Sequence, residues 1–280
     1  MTDHKMPKRL FAHAAQDAET AKKTQTTPQT ASPSYRLAFQ DEDFLLRDDL
    51  RPVRFQLELL KPELLLDEAK IASTLVFYGS ARIPAPGTPS AHADAEIAQK
   101  LEQLSPYYEA ARQLARLASK APRDAQGWRQ FVVCSGGGPS IMEAANRGAH
   151  DEGAETIGLN IVLPHEQLPN PYVTPDLSFQ FHYFALRKMH FLLRARGVVV
   201  FPGGFGTLDE MFELLTLIQT GKIKPMPVLL FGRAFWEDIV DFNALVQHGV
   251  IAERDLSIFE YVESADEAWA IIRAFYDHQA

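Results

Sequence analysis

The sequence has a single cysteine, Cys134, among its 280 residues. One thiol can form neither an intrachain disulfide nor a cysteine-based metal site. No stretch approaches the roughly 18 consecutive apolar residues that a membrane-spanning helix needs. The basic side chains near the start of the chain are not followed by an apolar segment, so no secretory signal is predicted. We therefore expect a cytoplasmic protein with no metal, no cofactor and no membrane partner.

Net positive charge is also missing. Lysine and arginine together number 28 against 36 aspartates and glutamates, which gives a formal net charge of -8. Nucleic acids and anionic membranes attract basic surfaces, so neither is expected as the main partner. Hydrophobic residues make up 46% of the chain. That proportion is typical of a globular protein with a sizeable core.

Several familiar site motifs are absent. No Gly-Lys-Ser/Thr follows a glycine-rich turn, which excludes a P-loop, and no Gly-x-Ser-x-Gly nucleophile motif occurs. Neither glycine-rich turn is a complete dinucleotide fingerprint, so a mononucleotide fits better than NAD. His182 and His190 are eight residues apart without an acidic partner on the same face. Core or surface histidines are a better interpretation than metal ligands.

Composition divides the chain into three segments. Residues 1–34 are rich in Ala, Thr, Gln, Lys and Pro and are predicted to be a disordered tail. Residues 35–72 are predicted to form an extension of short amphipathic helices, broken at Pro52 and Pro62. In residues 73–280, solidly apolar strands alternate with helices. This alternation predicts an α/β nucleotide-binding domain, a Rossmann-like doubly wound parallel sheet with helices on both faces.

The chain has three glycine-bearing turns that each follow a predicted strand. The most informative is Pro-Gly-Gly-Phe-Gly-Thr at residues 202–207, between an apolar strand and a helix. Glycines let a ligand approach the backbone, and the N–H groups of a helix N-terminus attract anions. The predicted substrate- or phosphate-binding residues of these turns are Gly79, Ser80, Gly136, Gly137, Gly138, Gly203, Gly204, Gly206 and Thr207.

Charged side chains stand close to these turns in the sequence. Glu210 lies one helical turn inside the phosphate-binding turn, which predicts chemistry on a phosphorylated small molecule. Thr207-x-x-Glu210 is also a helix capping box, so a purely structural role is the alternative. Arg187 can donate two parallel hydrogen bonds to a phosphate or hold a carboxylate in position. The alternative is that Arg187 simply lies on a solvent-exposed helix face. The remaining predicted binding residues are Glu143, Lys188 and Glu213.

Residues 202–210 match the signature Pro-Gly-Gly-x-Gly-Thr-x-x-Glu, and an Arg-Lys pair lies upstream at residues 187–188. With these motifs the chain resembles the Lonely Guy family over about residues 73–242. Its members are cytokinin riboside 5′-monophosphate phosphoribohydrolases, often mislabelled lysine decarboxylases. The resemblance implies a Rossmann-like homodimer that hydrolyses the N-glycosidic bond of a nucleoside 5′-monophosphate. It also implies that Arg187 and Glu210 are the catalytic pair and that the backbone of residues 203–207 holds the phosphate.

Because the sequence departs from the family pattern at several places, it does not determine which base is removed. About 70 residues precede the first strand, Tyr-Phe-Ala-Leu precedes Arg187 in place of a Met-x-x, and Phe205 replaces the commoner tyrosine. AMP, a cytokinin riboside monophosphate or another purine nucleotide would each fit. A non-catalytic nucleotide or molybdenum cofactor carrier is the alternative function, since a carrier needs the glycines but not the Arg187–Glu210 pair. A pyridoxal phosphate decarboxylase fits poorly, because no Schiff-base lysine is indicated.

Overall fold

The computed structural model describes residues 13–164 and 168–277. Residues 1–12 of the predicted tail lie outside the described residues, as do 165–167 and 278–280. The chain divides into two compact units, residues 1–57 and 58–280. The division into three segments at residues 34 and 72 stays a prediction.

The first unit contains short helices and turns. Helix α1 spans Ala14–Ala21, within the segment predicted to be disordered, and helix α2 spans Glu42–Leu45. The Asp41 side chain caps α2 by accepting a hydrogen bond from the Phe44 N–H. Single 3₁₀ turns lie at Pro33–Tyr35, Ala38–Gln40 and Asp48–Leu50.

One continuous helix, α3, spans Arg51–Glu68, where two breaks were predicted. Pro52 is its second residue, a position where the missing N–H costs no helical hydrogen bond. Pro62 lies inside the helix, so the predicted break there is wrong. A proline at this position leaves the Glu58 carbonyl without its helical donor, and the His190 ring Nε2 lies 3.1 Å from that oxygen. An outside donor thus replaces the lost bond.

The second unit alternates strands with helices. The strands are β1 (Thr74–Tyr78), β2 (Val132–Ser135), β3 (Thr156–Ile161), β4 (Ser178–Phe181), β5 (Ala195–Val200), β6 (Val228–Phe231) and β7 (Glu260–Val262). The helices are α4 (Ala95–Gln103), α5 (Pro106–Ser119), α6 (Ile141–Asp151), α7 (Phe184–Leu193), α8 (Phe205–Gln219), α9 (Arg233–Ile239), α10 (Phe242–Gln247) and α11 (Ala265–Asp277). None of the helices in the described ranges is long and apolar enough to cross a membrane.

The strands form one parallel sheet in the order β4-β3-β2-β1-β5-β6-β7. Strands β2, β3 and β4 follow β1 in order toward one edge of the sheet. The chain then returns to place β5 on the other side of β1, and β6 and β7 follow toward the opposite edge. The predicted α/β, doubly wound parallel fold is confirmed. Just beyond β1 and β5, the Phe201 N–H donates to the Tyr78 carbonyl and the Ser80 N–H to the Pro202 carbonyl. Ligands of such sheets bind at this switch point.

Each face of the sheet carries its own hydrophobic core. Along β1, Val76 and Tyr78 contribute to one core together with residues of α7 and α8. Leu75 and Phe77 contribute to the other, together with residues of α5, α6 and α11. Because successive strand side chains point to opposite faces, a strand buried on both sides is largely apolar, as β1 is after its first residue, Thr74.

Two predicted helices are each divided in the structure. The alanine-rich sequence over about residues 91–119 predicts one long helix with a break near Pro106, and in the structure α4 ends and α5 begins there. The sequence also predicts one helix over residues 234–247. The structure has two, α9 and α10, because Val240 leaves the helical conformation and Asp241 caps α10.

Gly148 of α6 gives a test of how closely α5 and α6 pack. A Cβ atom there would lie 2.2 Å from the Arg112 carbonyl oxygen and 2.8 Å from the Ala115 Cβ. We expect Gly148→Ala to lower the free energy of unfolding by about 1–3 kcal/mol, although alanine favours a helix by about 1 kcal/mol. Urea denaturation measures the change. Gly206→Ala, at a helical position with no atom within 4 Å, is the control, and equal midpoints for Gly148→Ala and wild type would contradict the expectation.

Candidate active site

The three glycine turns meet at the carboxyl ends of β1, β2 and β5, which are neighbours in the sheet. The turn after β1 lies against the start of α6. A Cβ atom on Gly79 would be 2.6 Å from the Ile141 Cγ2, and the Ile141 N–H donates to the Ser80 carbonyl at 3.3 Å. Glycine at position 79 is therefore needed for helix α6 to approach the end of β1.

The sequence predicts that the helix after the third turn begins at Leu208. Helix α8 begins three residues earlier, at Phe205, with Gly204 as an N-cap that offers no side chain. Thr207 is consequently the third residue of the helix, and the capping-box interpretation of Thr207 and Glu210 is wrong. Thr207 is buried, and a Cβ atom on Gly203 would lie 2.2 Å from its Oγ1. Among the described residues no side chain accepts a hydrogen bond from the first-turn N–H groups, so this helix end can accept an anion.

Arg187 of α7 meets Glu210 of α8 at the site. The Arg187 Nη1 donates to the Glu210 Oε1 at 3.3 Å, and both side chains are largely buried. The Arg187 Nε donates to the Leu159 carbonyl at 2.7 Å, and its guanidinium lies 5.0 Å above the Phe191 ring centroid. These contacts aim the guanidinium at Glu210 and leave it little freedom to turn away.

Burial raises the pKa of the Glu210 carboxyl to about 7, from an ordinary value of 4.5. The neighbouring Arg187 lowers this pKa and Asp209 raises it, but loss of hydration is the largest cause. A carboxyl with such a pKa changes its protonation state near neutrality, which is a property of groups that transfer protons.

Gly136 makes room for Arg187. A Cβ atom on Gly136 would lie 2.6 Å from the Arg187 Nη2 and 2.7 Å from the Met142 Sδ. Any larger residue would push the guanidinium away from its present place. The second glycine turn thus touches one of the two predicted catalytic residues.

A buried polar network holds the second glycine turn. The Asn146 Oδ1 accepts hydrogen bonds from the Ser135 Oγ at 2.7 Å and the Asn170 Nδ2 at 2.9 Å. The same Asn170 Nδ2 lies 3.0 Å from the Gly138 carbonyl oxygen, and the Gly137 N–H donates to the Ser135 Oγ. Sequence reasoning missed Asn146 and Asn170. Only their burial distinguishes them, and a sequence pattern does not reveal that.

Tyr78 and Cys134 lie beneath the pair and were not predicted as part of the site. Both are buried, and burial raises the pKa of each, with Glu210 adding to the effect. The Tyr78 ring packs edge-on against Phe191 at 5.1 Å between centroids. Tyr78 and Cys134 are thus electrostatic neighbours of Glu210, and burial favours the neutral form of each.

Lys188 and Glu213 are placed together, beside the pair. The Lys188 Nζ lies 2.9 Å from the Glu213 Oε2 and 2.9 Å from the Asp209 Oδ2. Lys188 thus joins α7 to α8 through ion pairs with two carboxylates of α8. Lys188 and Glu213 also line a cavity of about 690 Å³ that Arg187 and Glu210 do not line.

Glu143, the remaining predicted binding residue, accepts a hydrogen bond from the Tyr108 hydroxyl at 2.8 Å. This contact joins the first turn of α6 to α5 and does not connect Glu143 to Arg187 or Glu210. In the described part of the chain, no group of three or more His, Cys, Asp or Glu side chains could hold a metal ion.

A known family profile matches the region that contains α7 and α8, and individual relatives match part of the chain. Residues 142–272 match a family profile described as possible lysine decarboxylase. A cytokinin riboside 5′-monophosphate phosphoribohydrolase of Oryza sativa subsp. japonica is 30% identical over 125 residues, which are 44% of this chain and 50% of the relative. A pyrimidine/purine nucleotide 5′-monophosphate nucleosidase of Escherichia coli strain K12 is 31% identical over 122 residues, 38% of this chain and 25% of that protein. These matches confirm the resemblance predicted from residues 187–188 and 202–210.

The chain spans only half the length of the rice relative and a quarter of the bacterial one. Among solved structures, the molybdenum cofactor carrier protein of Chlamydomonas reinhardtii aligns with 73% of this chain and 99% of its own, at 18% identity and a TM-score of 0.42. A likeness this weak says nothing about function.

The raised pKa of Glu210 predicts a pH-dependent effect on stability. Between about pH 4.5 and about 7 the folded protein binds a proton at Glu210 that the unfolded chain releases, so the wild type loses stability as pH rises through this window. Glu210→Gln removes the loss. We expect the stability of the variant relative to wild type to rise by roughly 2–3 kcal/mol across the window. Urea denaturation at pH 4.5, 6 and 8 measures it, and parallel curves would contradict it.

Proposed function

Since this chain is a relative of the Lonely Guy phosphoribohydrolases, we propose that it hydrolyses the N-glycosidic bond of a nucleoside 5′-monophosphate. The products are the free base and ribose 5-phosphate. The observation that carries this proposal is the buried Arg187–Glu210 pair beside an uncapped helix N-terminus at the switch point of the sheet. The names of the relatives agree with it.

The phosphate is assigned to the start of α8. The backbone N–H groups after Gly204 have no side-chain acceptor there, and the positive end of the helix dipole favours an anion. Gly204 and Gly206 have open space beside them, since a Cβ built on either residue would meet no atom within 4 Å from the rest of the described chain beyond its immediate neighbours and the local helix backbone. A phosphate can therefore approach the backbone closely. The turns at Ser80 and at residues 136–138 flank this position and would bound the sugar and base.

We place the Glu210 carboxylate next to C1′ of the ribose, the carbon at which the glycosidic bond breaks. Breaking the bond sends its electron pair to the base and leaves positive charge on C1′ and the ring oxygen of the ribose. A carboxylate next to that charge stabilises it, and the same group can take a proton from the water whose oxygen bonds to C1′. Glu210 then returns this proton to solvent, and the departing base takes up one proton from solvent to become the free base. Arg187 holds Glu210 in position through the 3.3 Å contact. Arg187 also favours the ionised form of the Glu210 carboxyl, whereas burial favours the protonated form.

AMP and cytokinin riboside monophosphates are the proposed substrates. The relatives are named for nucleoside monophosphates of both kinds, with a pyrimidine or purine base in one case and a cytokinin base in the other. The homodimer and the cytoplasmic location expected from the resemblance belong to the same proposal. Light scattering on the purified protein tests the oligomeric state.

A direct assay tests the reaction. The purified protein is incubated with AMP, GMP, CMP, UMP and isopentenyl-AMP, and the products are separated by chromatography. We expect wild type to release a free base and ribose 5-phosphate from at least one nucleotide. Glu210→Gln should reduce kcat by about 100-fold or more while still binding the nucleotide, because the amide cannot accept the proton or oppose the charge.

Wild type and Glu210→Gln with the same turnover would remove Glu210 from the mechanism. Tight binding without release of base from any nucleotide would favour a carrier over a hydrolase. Isothermal titration with AMP distinguishes that result from a protein that binds no nucleotide at all.

The pH dependence of the reaction provides a second test. Because the ionised carboxyl is the active form, kcat/KM should fall as pH drops through the pKa of Glu210, which is about 7. The acid limb should have a slope of one proton. A profile that is flat from pH 5 to pH 8 would show that Glu210 does not act as the ionised base.

A further inference from the structure

Helix α7, which carries Arg187, is held at three places by residues that lie before the first strand. The first is its N-terminus, where the His182 N–H donates to the Glu58 Oε1 at 2.9 Å and the Tyr183 N–H to the Glu58 Oε2 at 3.2 Å. Helix α7 has no side-chain cap from its own sequence. The Glu58 carboxylate supplies the cap, and its charge suits the positive end of the helix.

The second contact uses the backbone of the same residue. Pro62 has no N–H for the Glu58 carbonyl, and the His190 Nε2 lies 3.1 Å from that oxygen. A carbonyl only accepts, so the ring nitrogen donates. His190 is buried on α7, and its Nδ1 faces the Glu63 carboxylate at 3.9 Å. The proline that was predicted to break α3 thus exposes the acceptor that holds α7.

The third contact lies at the C-terminal end of α7. Arg194 donates from Nε and Nη2 to the two carboxylate oxygens of Glu63 at 3.2 and 3.1 Å, and from Nη2 to the Asp67 Oδ1 at 2.8 Å. Glu63 therefore forms a bidentate ion pair with the largely buried guanidinium of Arg194. Together the three contacts extend over α7 from residue 182 to residue 194.

Arg187 lies between the first and second of these contacts. Its guanidinium is confined by the Leu159 carbonyl on one side and by the backbone of Gly136 on another. A shift of α7 along or around its axis would therefore carry the guanidinium away from Glu210. Even a displacement of about 1 Å in a catalytic constellation can cost about 100-fold in rate.

We propose that Glu58 is a positioning residue, whose carboxylate and carbonyl fix helix α7 so that Arg187 meets Glu210. The rate effect of this inference rests on the proposed hydrolase function, but the positional effect does not. The segment before the first strand thereby gains a role in the site.

Glu58→Ala tests the proposal, with Glu58→Gln as the conservative variant. We expect Glu58→Ala to lower kcat by about tenfold or more and to change KM by less than about threefold. The acid limb of kcat/KM should move to higher pH, because Arg187 lowers the pKa of Glu210 and would do so less from a greater distance. Glu58→Gln keeps one acceptor oxygen, so its values should fall between those of wild type and Glu58→Ala.

Glu68→Gln is the matched control, since Glu68 is an exposed glutamate on the same helix and takes no part in the three contacts. It should behave as wild type. A Glu58→Ala protein with wild-type kcat and an unmoved acid limb would overturn the proposal. So would a lower kcat with an unmoved acid limb, since that is the result of a merely structural role. Should Glu58→Ala fail to fold, the same criteria apply to Glu58→Gln.

A measurement without turnover separates this inference from the proposed function. The carboxyl carbon of Glu210 is titrated by ¹³C NMR in wild type and in Glu58→Ala. A midpoint that moves to higher pH in the variant supports the positioning role, even if no nucleotide is hydrolysed. Coincident titration curves overturn it, even if the wild type proves to be an active hydrolase.

Discussion

The burial of one carboxyl group, that of Glu210, is the constraint on which the site depends. Removing a carboxylate from water is costly, and the partner guanidinium of Arg187 offsets that cost only in part, as the raised pKa of Glu210 shows. A balance of this kind holds only while the two groups keep their separation. The surrounding structure therefore has to hold Arg187 more firmly than a surface ion pair would be held.

Close backbone approach provides part of that restraint. Gly136 lies where a side chain would displace the Arg187 guanidinium, and Gly203 lies where one would displace Thr207. Gly79 allows α6 to start directly against the end of β1. These glycines follow neighbouring strands of a single sheet. The glycine turns thus act as places where side chains and helices come near the backbone, besides leaving room for a phosphate.

Helix α7 connects the site with the segment before the first strand. One of its faces presents Arg187 to Glu210 and Lys188 to the carboxylates of α8. Its ends and His190 bind Glu58, Glu63 and Asp67. An interior proline would ordinarily destabilise a helix such as α3. In this chain Pro62 leaves the Glu58 carbonyl without a helical donor, and the buried His190 ring donates to it instead. The missing hydrogen bond of α3 is thereby replaced by a contact that holds α7.

The sequence by itself determined the fold class and singled out Arg187 and Glu210, which the structure brings together. Apolar runs predict strands over residues 74–78 and 156–161, and helical periodicity predicts a helix over residues 265–277; β1, β3 and α11 have these bounds. Residues 202–210 indicated the resemblance to the Lonely Guy family. These features are local, because each depends on neighbours along the chain. Only the tertiary structure decided that Thr207 lies inside α8, that Pro62 leaves α3 intact, and that Asn146 and Asn170 hold a glycine turn. The bond between His190 and Glu58 joins positions 132 residues apart. Such partnerships arise from packing and from the need to satisfy buried polar groups, neither of which is written in a local pattern.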